Sequence, residues 1–173
     1  MTTTVQIEPD IRPLELPELV TAHRISSEVF DLPYSYETLR AYYEKAHGGF
    51  LGAVLGGGLA GFVVATSPRV VLFGRRVGEV AVLAVARQHQ RQGIGSALLT
   101  AGMDLLRARG MRVVRLHVDT TNDGAIAMYE RFGFARERIV PAYYRNGRDA
   151  YRMTKPLGGA AGRRGGVARS RLE

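Results

Sequence analysis

The sequence predicts an α+β domain, whose mixed and mostly antiparallel sheet carries helices on both faces. Three apolar segments, 50–55, 59–65 and 77–85, follow one another through short connections, which is typical of an antiparallel meander. A helical apolar pattern then separates segment 77–85 from a further apolar segment, 113–118. Because strand, helix, strand units pair their two strands in parallel, we expect the sheet to change from antiparallel to parallel at this point.

The remaining helices and strands are delimited by capping and turn residues. Pro17 begins an apolar pattern with a 3.6-residue period, and Ser35 is a good N-cap for a second such pattern. The glycines at 56–58 form the turn of the first hairpin, and Asn122 and Gly133 delimit the last helix. We therefore predict a first strand at 5–14, helices at 17–30, 35–47, 97–109 and 122–132, strands at 134–144 and 150–155, and turns at 73–76 and 145–148.

The composition is that of an ordinary globular protein, with 173 residues, 46% hydrophobic and 23% charged. We predict one domain over residues 1–157 and a disordered tail over residues 158–173, which are rich in glycine and arginine. No apolar segment has the roughly 20 residues of a membrane span, and the first residues lack the basic and apolar regions of a secretory signal. A cytoplasmic protein without membrane association is therefore expected.

Several kinds of site are disfavoured by residue counts. The sequence contains no cysteine, which excludes disulfides, thiolate catalysis and cysteine-ligated zinc. Its four histidines do not have the spacing of metal ligands, so no metal is expected. The formal charge of +8 is carried mainly by arginine, but aromatic residues are sparse around the arginines of the last strands, which favours solvated strand edges over a nucleic-acid face. These arginines are Arg136, Arg138, Arg145, Arg148 and Arg152.

The turn between strand 77–85 and the following helix predicts a phosphate site. The first turn of a helix presents unpaired N–H groups at the positive end of the helix dipole, and glycine lets a ligand approach the main chain closely. Arginine and glutamine side chains add donors suited to a pyrophosphate. No lysine follows the second glycine as in a Walker motif, and the third glycine of a dinucleotide fingerprint is absent. The turn consists of Gln90, Arg91, Gln92, Gly93, Ile94, Gly95 and Ser96.

Two titratable side chains on the parallel strands are candidates for proton transfer. The carboxyl ends of strands 77–85 and 113–118 lie at the turn, so we expect a cleft between them. His117 and Glu79 lie in these strands, and either is a candidate base near neutral pH. The alternatives are a buried imidazole with satisfied partners for His117 and a solvent-facing strand residue for Glu79. Glu79 and Leu83 are four residues apart, so they share a strand face unless a bulge intervenes.

Two motifs resemble the acetyl-CoA signature of the GNAT N-acetyltransferase superfamily. They are Gln90-x-x-Gly93-x-Gly95 and Asn122-x-x-Ala125-x-x-x-Tyr129-x-x-x-Gly133-Phe134. The resemblance covers about residues 11–157 and implies the GNAT acyl-CoA acyltransferase fold, in which the central parallel strands splay apart. It also implies that the main chain of the turn binds the CoA pyrophosphate and that pantetheine runs beside strand 77–85. The implied acetyl-CoA residues are Leu83, Val85, Gln90, Arg91, Gln92, Gly93, Ile94, Gly95, Ser96, Asn122 and Tyr129.

Tyr129 and Asn122 each have two interpretations. A tyrosine on an amphipathic helix is ordinarily a core residue. The resemblance implies instead that the Tyr129 hydroxyl protonates the leaving CoA thiolate. Asn122 caps its helix and, by the resemblance, also binds the cofactor, and these two roles are compatible. The implied reaction is direct transfer of the acetyl group to a primary amine, with Glu79 or His117 as the base.

A narrower resemblance concerns the acceptor. Residues 32–36, His117 and the pair Tyr143-Tyr144 resemble the E-type catalytic subunit of N-terminal acetyltransferases and, more loosely, ribosomal-protein alanine acetyltransferases. In this resemblance His117 is a base that acts through a water. Glu79 stands where that family has a catalytic tyrosine, which leaves the division of roles between Glu79 and His117 open. The implied acceptor residues are Pro33, Tyr34 and Tyr36 around the first residue of a peptide, and Tyr143 and Tyr144 along its main chain.

We therefore predict an N-acetyltransferase that uses acetyl-CoA and acts on the N-terminal α-amine of a protein or peptide. The alternatives are acetylation of a small amine such as a polyamine or aminoglycoside, acetylation of lysine, and a CoA-binding module without catalysis. For Tyr143-Tyr144 the alternative is an aromatic pair that ends a strand. Nucleic acid and membranes are not expected as partners, and the oligomeric state, monomer or homodimer, stays open.

Overall fold

The computed structural model describes residues 8–69, 71–72 and 74–158. These residues form an eight-stranded mixed sheet with α-helices on both faces, which confirms the predicted α+β class. Among them, no helix combines the length and the apolar composition that a membrane span requires. Residues 5–7 of the predicted first strand and residues 159–173 of the predicted tail lie outside the described residues.

The helices and strands lie close to their predicted positions. The strands are β1 Asp10–Pro13, β2 Phe50–Leu55, β3 Gly58–Thr66, β4 Val71–Leu72, β5 Arg75–Val85, β6 Val113–Asp119, β7 Ala135–Val140 and β8 Ala150–Pro156. The helices are α1 Leu19–Val29, α2 Tyr36–Ala46, α3 Ile94–Ala108 and α4 Asp123–Arg131. Ser35 and Asn122 cap α2 and α4 as predicted, since each side chain accepts a hydrogen bond from a main-chain N–H three residues ahead.

The strand order places the parallel pair in the middle of the sheet. The order is β1-β2-β3-β5-β6-β8-β7, and β4 extends β5 as a short hairpin. Strands β2, β3 and β5 form the expected antiparallel meander. The parallel ladder of β5 and β6 runs only from the pair Val77 and Val113 to the pair Val80 and Leu116, although both strands continue beyond it. Beyond these pairs β5 and β6 no longer pair with each other, as in the splayed strands that the family resemblance implied.

The sheet separates two apolar cores, which fix the helices on its two faces. On one face α3 packs against β3, with Leu98, Leu106 and Val63 completely buried. On the other face α1 and α2 pack over Phe62 of β3, and both Phe62 and Ile25 of α1 are completely buried. Burying large apolar side chains on both faces is the dominant stabilising contribution, at about 1.5–3 kcal/mol for each such side chain.

A bulge in β5 changes the direction of the side chains next to the cleft. The register of β5 against β3 shifts by one residue at Ala81. As a result Val80 and Leu83 both pack in the core under α3, although they are three residues apart. Glu79 therefore lies on the opposite face from Leu83. The shared face expected from their spacing does not occur, because the bulge intervenes.

Two segments differ from their predicted boundaries. The turn predicted at 73–76 belongs in part to a hairpin, in which β4 pairs with the first two residues of β5. The strand predicted at 134–144 ends at Val140, and residues 141–149 form a connection that we call the β7–β8 loop. Ala142, near the start of this loop, has a positive φ of 47°, a conformation that alanine rarely adopts. The chain thereby leaves the sheet and covers the ends of β5 and β6.

Candidate active site

The diverging ends of β5 and β6 border a cleft of about 620 Å³. Residues 80–83 of β5 form one wall, and residues 117–119 of β6 form the other. The loop between α1 and α2 and the β7–β8 loop cover one end, and α4 closes the other. The volume lies in the range of ordinary small-molecule sites. The predicted site residues that line the cleft are Pro33, Tyr34, Leu83, His117, Asn122, Tyr129, Tyr143 and Tyr144.

A short 3-10 helix, Arg87–His89, connects β5 to the predicted phosphate-binding turn. Arg91 and Gly93 both have left-handed backbones, with φ of 63° and 83°, so the chain reverses tightly before α3. Gln90 fixes this reversal, because its Nε2 donates to the main-chain oxygen of Val85 at 2.9 Å. Gln92 is fixed in the same way, with Nε2 donating to the oxygen of Gln88 at 3.1 Å. These glutamines therefore shape the turn through their side chains.

The main chain of α3 offers the donors that the prediction requires. The first intrahelical hydrogen bond runs from the N–H of Ala97 to the oxygen of Gly93. The N–H groups of Ile94, Gly95 and Ser96 therefore have no intrahelical acceptor, as at the start of any helix. Together with the positive end of the helix dipole they form an anion site made of main chain.

Gly95 is not required by the packing of the protein. A Cβ added there would lie 3.7 Å from Met128 Sδ and 3.7 Å from Val85 Cγ2, which are ordinary contact distances. Alanine would also favour the helix by about 1 kcal/mol over glycine. The absence of a side chain leaves the main chain of the turn open, as a bound pyrophosphate requires.

Tyr129 of α4 is both a core residue and part of the cleft wall. It is only 8% exposed, and its ring packs edge-to-face on Phe134 with centroids 5.8 Å apart. It also lines the cleft, next to Asn122, whose Oδ1 caps α4 by accepting from the N–H of Ala125 at 3.1 Å. Burial raises the pKa of the Tyr129 hydroxyl above its ordinary value, because a phenolate would be poorly solvated there. The hydroxyl is therefore protonated and able to donate.

Four polar side chains form a row across β5, β6 and β8. Arg115 Nη2 donates to Glu79 Oε2 at 3.1 Å. His117 Nδ1 lies 3.5 Å from Glu79 Oε1, too long for a well-formed hydrogen bond, and within the described ranges this buried nitrogen has no other partner. On the opposite side of the ring, Arg152 Nε donates to His117 Nε2 at 3.4 Å. Because arginine cannot accept, the neutral ring carries its proton on Nδ1, directed at Glu79.

The charges in this row determine the protonation of Glu79. His117 has the largest effect in holding the pKa of the Glu79 carboxyl below its ordinary value, burial opposes it, and Arg115 acts in the same direction as His117. Glu79 is therefore a carboxylate at neutral pH and a weak base by itself. His117 lines the cleft, whereas Glu79 lies behind it. The arrangement suits a carboxylate that stabilises a proton on His117.

Tyrosines form the walls at the covered end of the cleft. Tyr143 stacks on the ring of His117, with centroids 4.5 Å apart and planes 14° from parallel, and Tyr144 meets Tyr143 edge-on. Across the cleft, the rings of Tyr34 and Tyr42 meet edge-on, with centroids 6.2 Å apart. Burial raises the pKa of all four hydroxyls above the ordinary value. They are therefore neutral groups that donate and accept hydrogen bonds.

An arginine connects the two loops that cover this end. Arg148 in the β7–β8 loop donates from Nη2 to Asp31 Oδ2 at 2.7 Å and from Nη1 to Asp119 Oδ2 at 3.1 Å. Asp31 belongs to the loop between α1 and α2, and Asp119 ends β6. Arg148 and Arg152 thus contact site residues, which differs from the solvated edges expected for the arginines of the last strands.

Some predicted residues lie away from the cleft lining, and some lining residues were not predicted. The ring of Tyr36 lies edge-on to that of His23, with centroids 6.3 Å apart, and Val85 packs against the core under α3. The turn residues lie beyond the lined volume, at the start of α3. Tyr42, Asp31 and Asp119 line the cleft but were not predicted as site residues. Of the three, only Tyr42 could have been found from the sequence, because it is an aromatic residue in the helical pattern of α2. The individual site assignments stay predictions.

Comparison with protein families matches residues 16–134 to the acetyltransferase (GNAT) family. Among curated proteins, the chain is similar to N-alpha-acetyltransferase 30 of Schizosaccharomyces pombe, with 37% identity over 75 residues, 43% of this chain and 50% of the relative. It is also similar to mycothiol acetyltransferase of Salinispora arenicola, with 43% identity over 100 residues, 50% of this chain and 33% of the relative. The chain thus spans about half the length, or less, of these curated relatives.

Solved structures match over nearly the whole described fold. Ard1 from Thermoplasma volcanium has a TM-score of 0.80 and 27% identity, covering 87% of this chain and 99% of that one. The ribosomal-protein-S18-alanine N-acetyltransferase from Escherichia coli has a TM-score of 0.75 and 30% identity, covering 90% of this chain and 97% of that one. The fold implied by the sequence motifs is thereby confirmed. The family match spans more than half of the chain, and the protein belongs to the GNAT family of acetyltransferases.

Proposed function

We propose that the protein transfers the acetyl group of acetyl-CoA to the N-terminal α-amine of a protein or peptide. The observation that carries this proposal is the cleft between β5 and β6, which has a main-chain anion site beyond one end and the His117 and tyrosine wall at the other. The similarity to N-alpha-acetyltransferases supports the same choice of acceptor. Since acetyl-CoA is an intracellular metabolite, the reaction belongs in the cytoplasm.

The residues present fit acetyl-CoA. Its pyrophosphate would be held by the N–H groups of Ile94, Gly95 and Ser96, which the helix leaves without acceptors. Pantetheine carries amide groups that pair with an unpaired strand, and β5 beyond Val80 no longer pairs with β6. When bound, acetyl-CoA supplies an activated acyl group on a thiol leaving group. The main-chain N–H groups near Leu83 and Val85 are the candidates to stabilise the oxyanion.

The proton transfers are assigned to side chains of the cleft. The amine must lose a proton, and His117 Nε2 carries the lone pair that can take it once the long 3.4 Å contact from Arg152 Nε has opened. Glu79 then stabilises the resulting imidazolium from Nδ1. Tyr129 is protonated and gives its proton to the leaving sulfur. One C–N bond forms and one C–S bond breaks. The thiol gains the Tyr129 proton, His117 holds the amine proton, and proton exchange with solvent then returns both side chains to their starting states. We therefore treat Glu79 and His117 as one proton-accepting pair.

The acceptor is assigned to a chain end because both covering loops lie over the His117 end of the cleft. Tyr34 and Tyr42 on one side, and Tyr143 and Tyr144 on the other, leave a narrow slot lined by neutral hydroxyls. Such groups suit the amide groups of an extended peptide. Pro33, next to Tyr34, borders the place where the first side chain would lie.

The test is an acceptor panel with acetyl-CoA and the full chain. It contains peptides with free α-amines and different first residues, the same peptides blocked at the α-amine with one internal lysine, polyamines and aminoglycosides. We expect the largest kcat/KM for peptides with free α-amines. Fast turnover of a polyamine or aminoglycoside together with inactive peptides would contradict the proposal, and acetyl-CoA binding without turnover of any acceptor would indicate a binding module.

A second candidate is a small-molecule amine as the acceptor. The observation that favours it is the similarity to mycothiol acetyltransferases, at 43% and 42% identity over 100 and 90 residues. The neutral hydroxyls of the cleft tyrosines would also suit a small polar amine. The polyamines and aminoglycosides of the same panel separate this candidate from the peptide acceptor.

A further inference from the structure

The β7–β8 loop is closed by its own hydrogen bonds and is joined at its base to the end of β6, where the N–H of Thr120 donates to the oxygen of Asp149 at 3.1 Å. It carries Tyr143 over His117. Asp149 Oδ1 accepts from the N–H of Ala142 at 2.8 Å, which closes the loop at its base. The N–H of Tyr144 donates to the oxygen of Arg148 at 3.1 Å, which closes its tip. Because the last two bonds are internal to the loop, they do not determine how close the loop lies to the opposite wall.

The contact with the opposite wall is made by Arg148. Its guanidinium bridges Asp31 on the far side of the cleft and Asp119 on the near side, and all three residues line the cleft. Asp119 is already fixed by the turn after β6, because its Oδ1 accepts from the N–H and the hydroxyl of Thr121. Asp31 is the exposed partner, with 78% of its side chain accessible. The ion pair of Arg148 with Asp31 therefore joins the two covering loops across the cleft.

We infer that Arg148 is a specificity-determining residue, which closes the β7–β8 loop against the loop between α1 and α2 and so admits a chain end in preference to an internal lysine. This inference rests on the proposed acetylation of α-amines. A chain end enters the slot with one strand of backbone, whereas a lysine in mid-chain brings backbone on both sides of its side chain. Arg148 and Asp31 do not contact the reacting groups, so they act on acceptor binding and not on the transfer step.

The expected effect is modest, because both groups are partly exposed. The side chains of Arg148 and Asp31 are 39% and 78% accessible, and exposed ion pairs are weak and salt-dependent. Loss of such a pair corresponds to roughly a three- to fivefold change in the affinity of the acceptor. At about 1 M salt, where the Debye length is about 3 Å, most of this difference is expected to disappear.

The test compares D31N with the wild-type enzyme and with D104N. Asp104 forms an exposed ion pair with Arg107 on α3, outside the cleft lining, and serves as the matched control. In D31N we expect KM for a free α-amine peptide to rise roughly three- to fivefold, with kcat and KM for acetyl-CoA within about twofold. The ratio of kcat/KM for the α-amine peptide over the blocked lysine peptide should fall by a similar factor, and R148K should retain part of the wild-type ratio.

Hydrogen exchange gives a readout that does not depend on activity. The amides of Ala142, Tyr144 and Gly147 are bonded within the β7–β8 loop, and their exchange should accelerate severalfold in D31N but not in D104N. Unchanged exchange and unchanged acceptor KM in D31N would overturn the role of Arg148. If the wild-type enzyme acetylates no peptide, the proposed function fails, and faster exchange in D31N would still support the closure of the loop by Arg148.

Discussion

The two ends of the cleft are built from different kinds of parts. The end at α3 is one contiguous segment, residues 85–96, in which a reversal at Arg91 and Gly93 leads to the free main-chain N–H groups of the helix start. The end under the loops combines side chains from α2, three strands and two loops, and its contacts are mostly charged or aromatic. The first end can be made by a short motif, whereas the second requires the whole fold.

This difference determines what each end is sensitive to. Main-chain donors at a helix start do not titrate, and most substitutions leave them in place. The strength of an ion pair such as Arg115 with Glu79 depends on pH and salt. A stacked pair of rings such as Tyr143 on His117 is lost by a single substitution. Under the proposed function, the cofactor end is therefore the less variable of the two, and the acceptor end is where specificity can vary.

The largest expected effect lies at the junction of the two ends. Replacing Tyr129 by phenylalanine removes the proposed proton donor and keeps the ring that packs on Phe134. We expect kcat to fall by roughly 100-fold or more, in the range for loss of a general acid. Acetyl-CoA affinity, measured by calorimetry, and the melting temperature should stay close to wild type. An unchanged kcat would leave Tyr129 as a core residue only.

A substitution in the turn should affect the cofactor end alone. In G95A the added methyl group fits the protein but occupies space at the main-chain donors, so we expect KM for acetyl-CoA to rise roughly tenfold, equivalent to about 1.4 kcal/mol. Acceptor KM should stay unchanged, and the melting temperature should stay equal or rise, because alanine favours the helix.

The matched control is G102A in the same helix. A Cβ at Gly102 would lie 3.5 Å from Val63 Cγ2, an ordinary contact, and the position is two turns from the phosphate-binding end. This variant should gain stability without any change in KM. If G95A and G102A have the same KM for acetyl-CoA, the turn is not the pyrophosphate site.

The cofactor end rests on contiguous motifs. The turn was predicted as a phosphate site from its glycines and its place before a helix, and the roles of Asn122 and Tyr129 were implied by the family resemblance; these assignments stay predictions. His117 and Glu79 were predicted as candidates because each lies in a strand beside the cleft, and the structure brings them to 3.5 Å. The bulge at Ala81, which turns Glu79 away from Leu83, leaves no signal in an apolar strand.

The acceptor end could be predicted only in part, because its contacts join distant segments. Arg148 and Asp31 are 117 residues apart in the chain, and Arg152 and His117 are 35 apart. Such pairs depend on strand order and on the path of a loop, neither of which follows from local periodicity. The sequence therefore predicted that the arginines of the last strands, including Arg148 and Arg152, lie at solvated strand edges. Tyr143 was predicted through a family resemblance and not through spacing.

A substitution of Tyr143 should affect the acceptor end alone. Y143A removes the ring stacked on His117, and an aromatic pair of this kind contributes about 0.5–1.5 kcal/mol. We expect acceptor KM to rise roughly fivefold, with KM for acetyl-CoA unchanged, and Y143F should retain most of the wild-type value if stacking dominates. Steady-state kinetics with each substrate varied in turn measure this. An equal rise in both KM values would show that the two ends are not separable.

The smallest effect concerns stability and its dependence on pH. The Glu79 pKa is lowered by His117 and Arg115, so the folded state gains stability from the carboxylate at pH values above about 4.3, the ordinary value for glutamate. This gain is lost as the pH falls through the lower pKa of the folded state. Loss of the ion pair with Arg115 should therefore make E79Q less stable than wild type at pH 7, by up to about 1 kcal/mol, or about 2–4 °C in melting temperature. The gap should close as the pH falls toward 3.

The control is E44Q, which breaks the exposed pair of Glu44 with Arg40 on α2 and should show little difference at any pH. In G95A, which changes no titratable group, any shift in melting temperature should be the same at pH 7 and pH 4. A gap for E79Q that persists at low pH would mean that the loss comes from packing and not from the charge at the acceptor end.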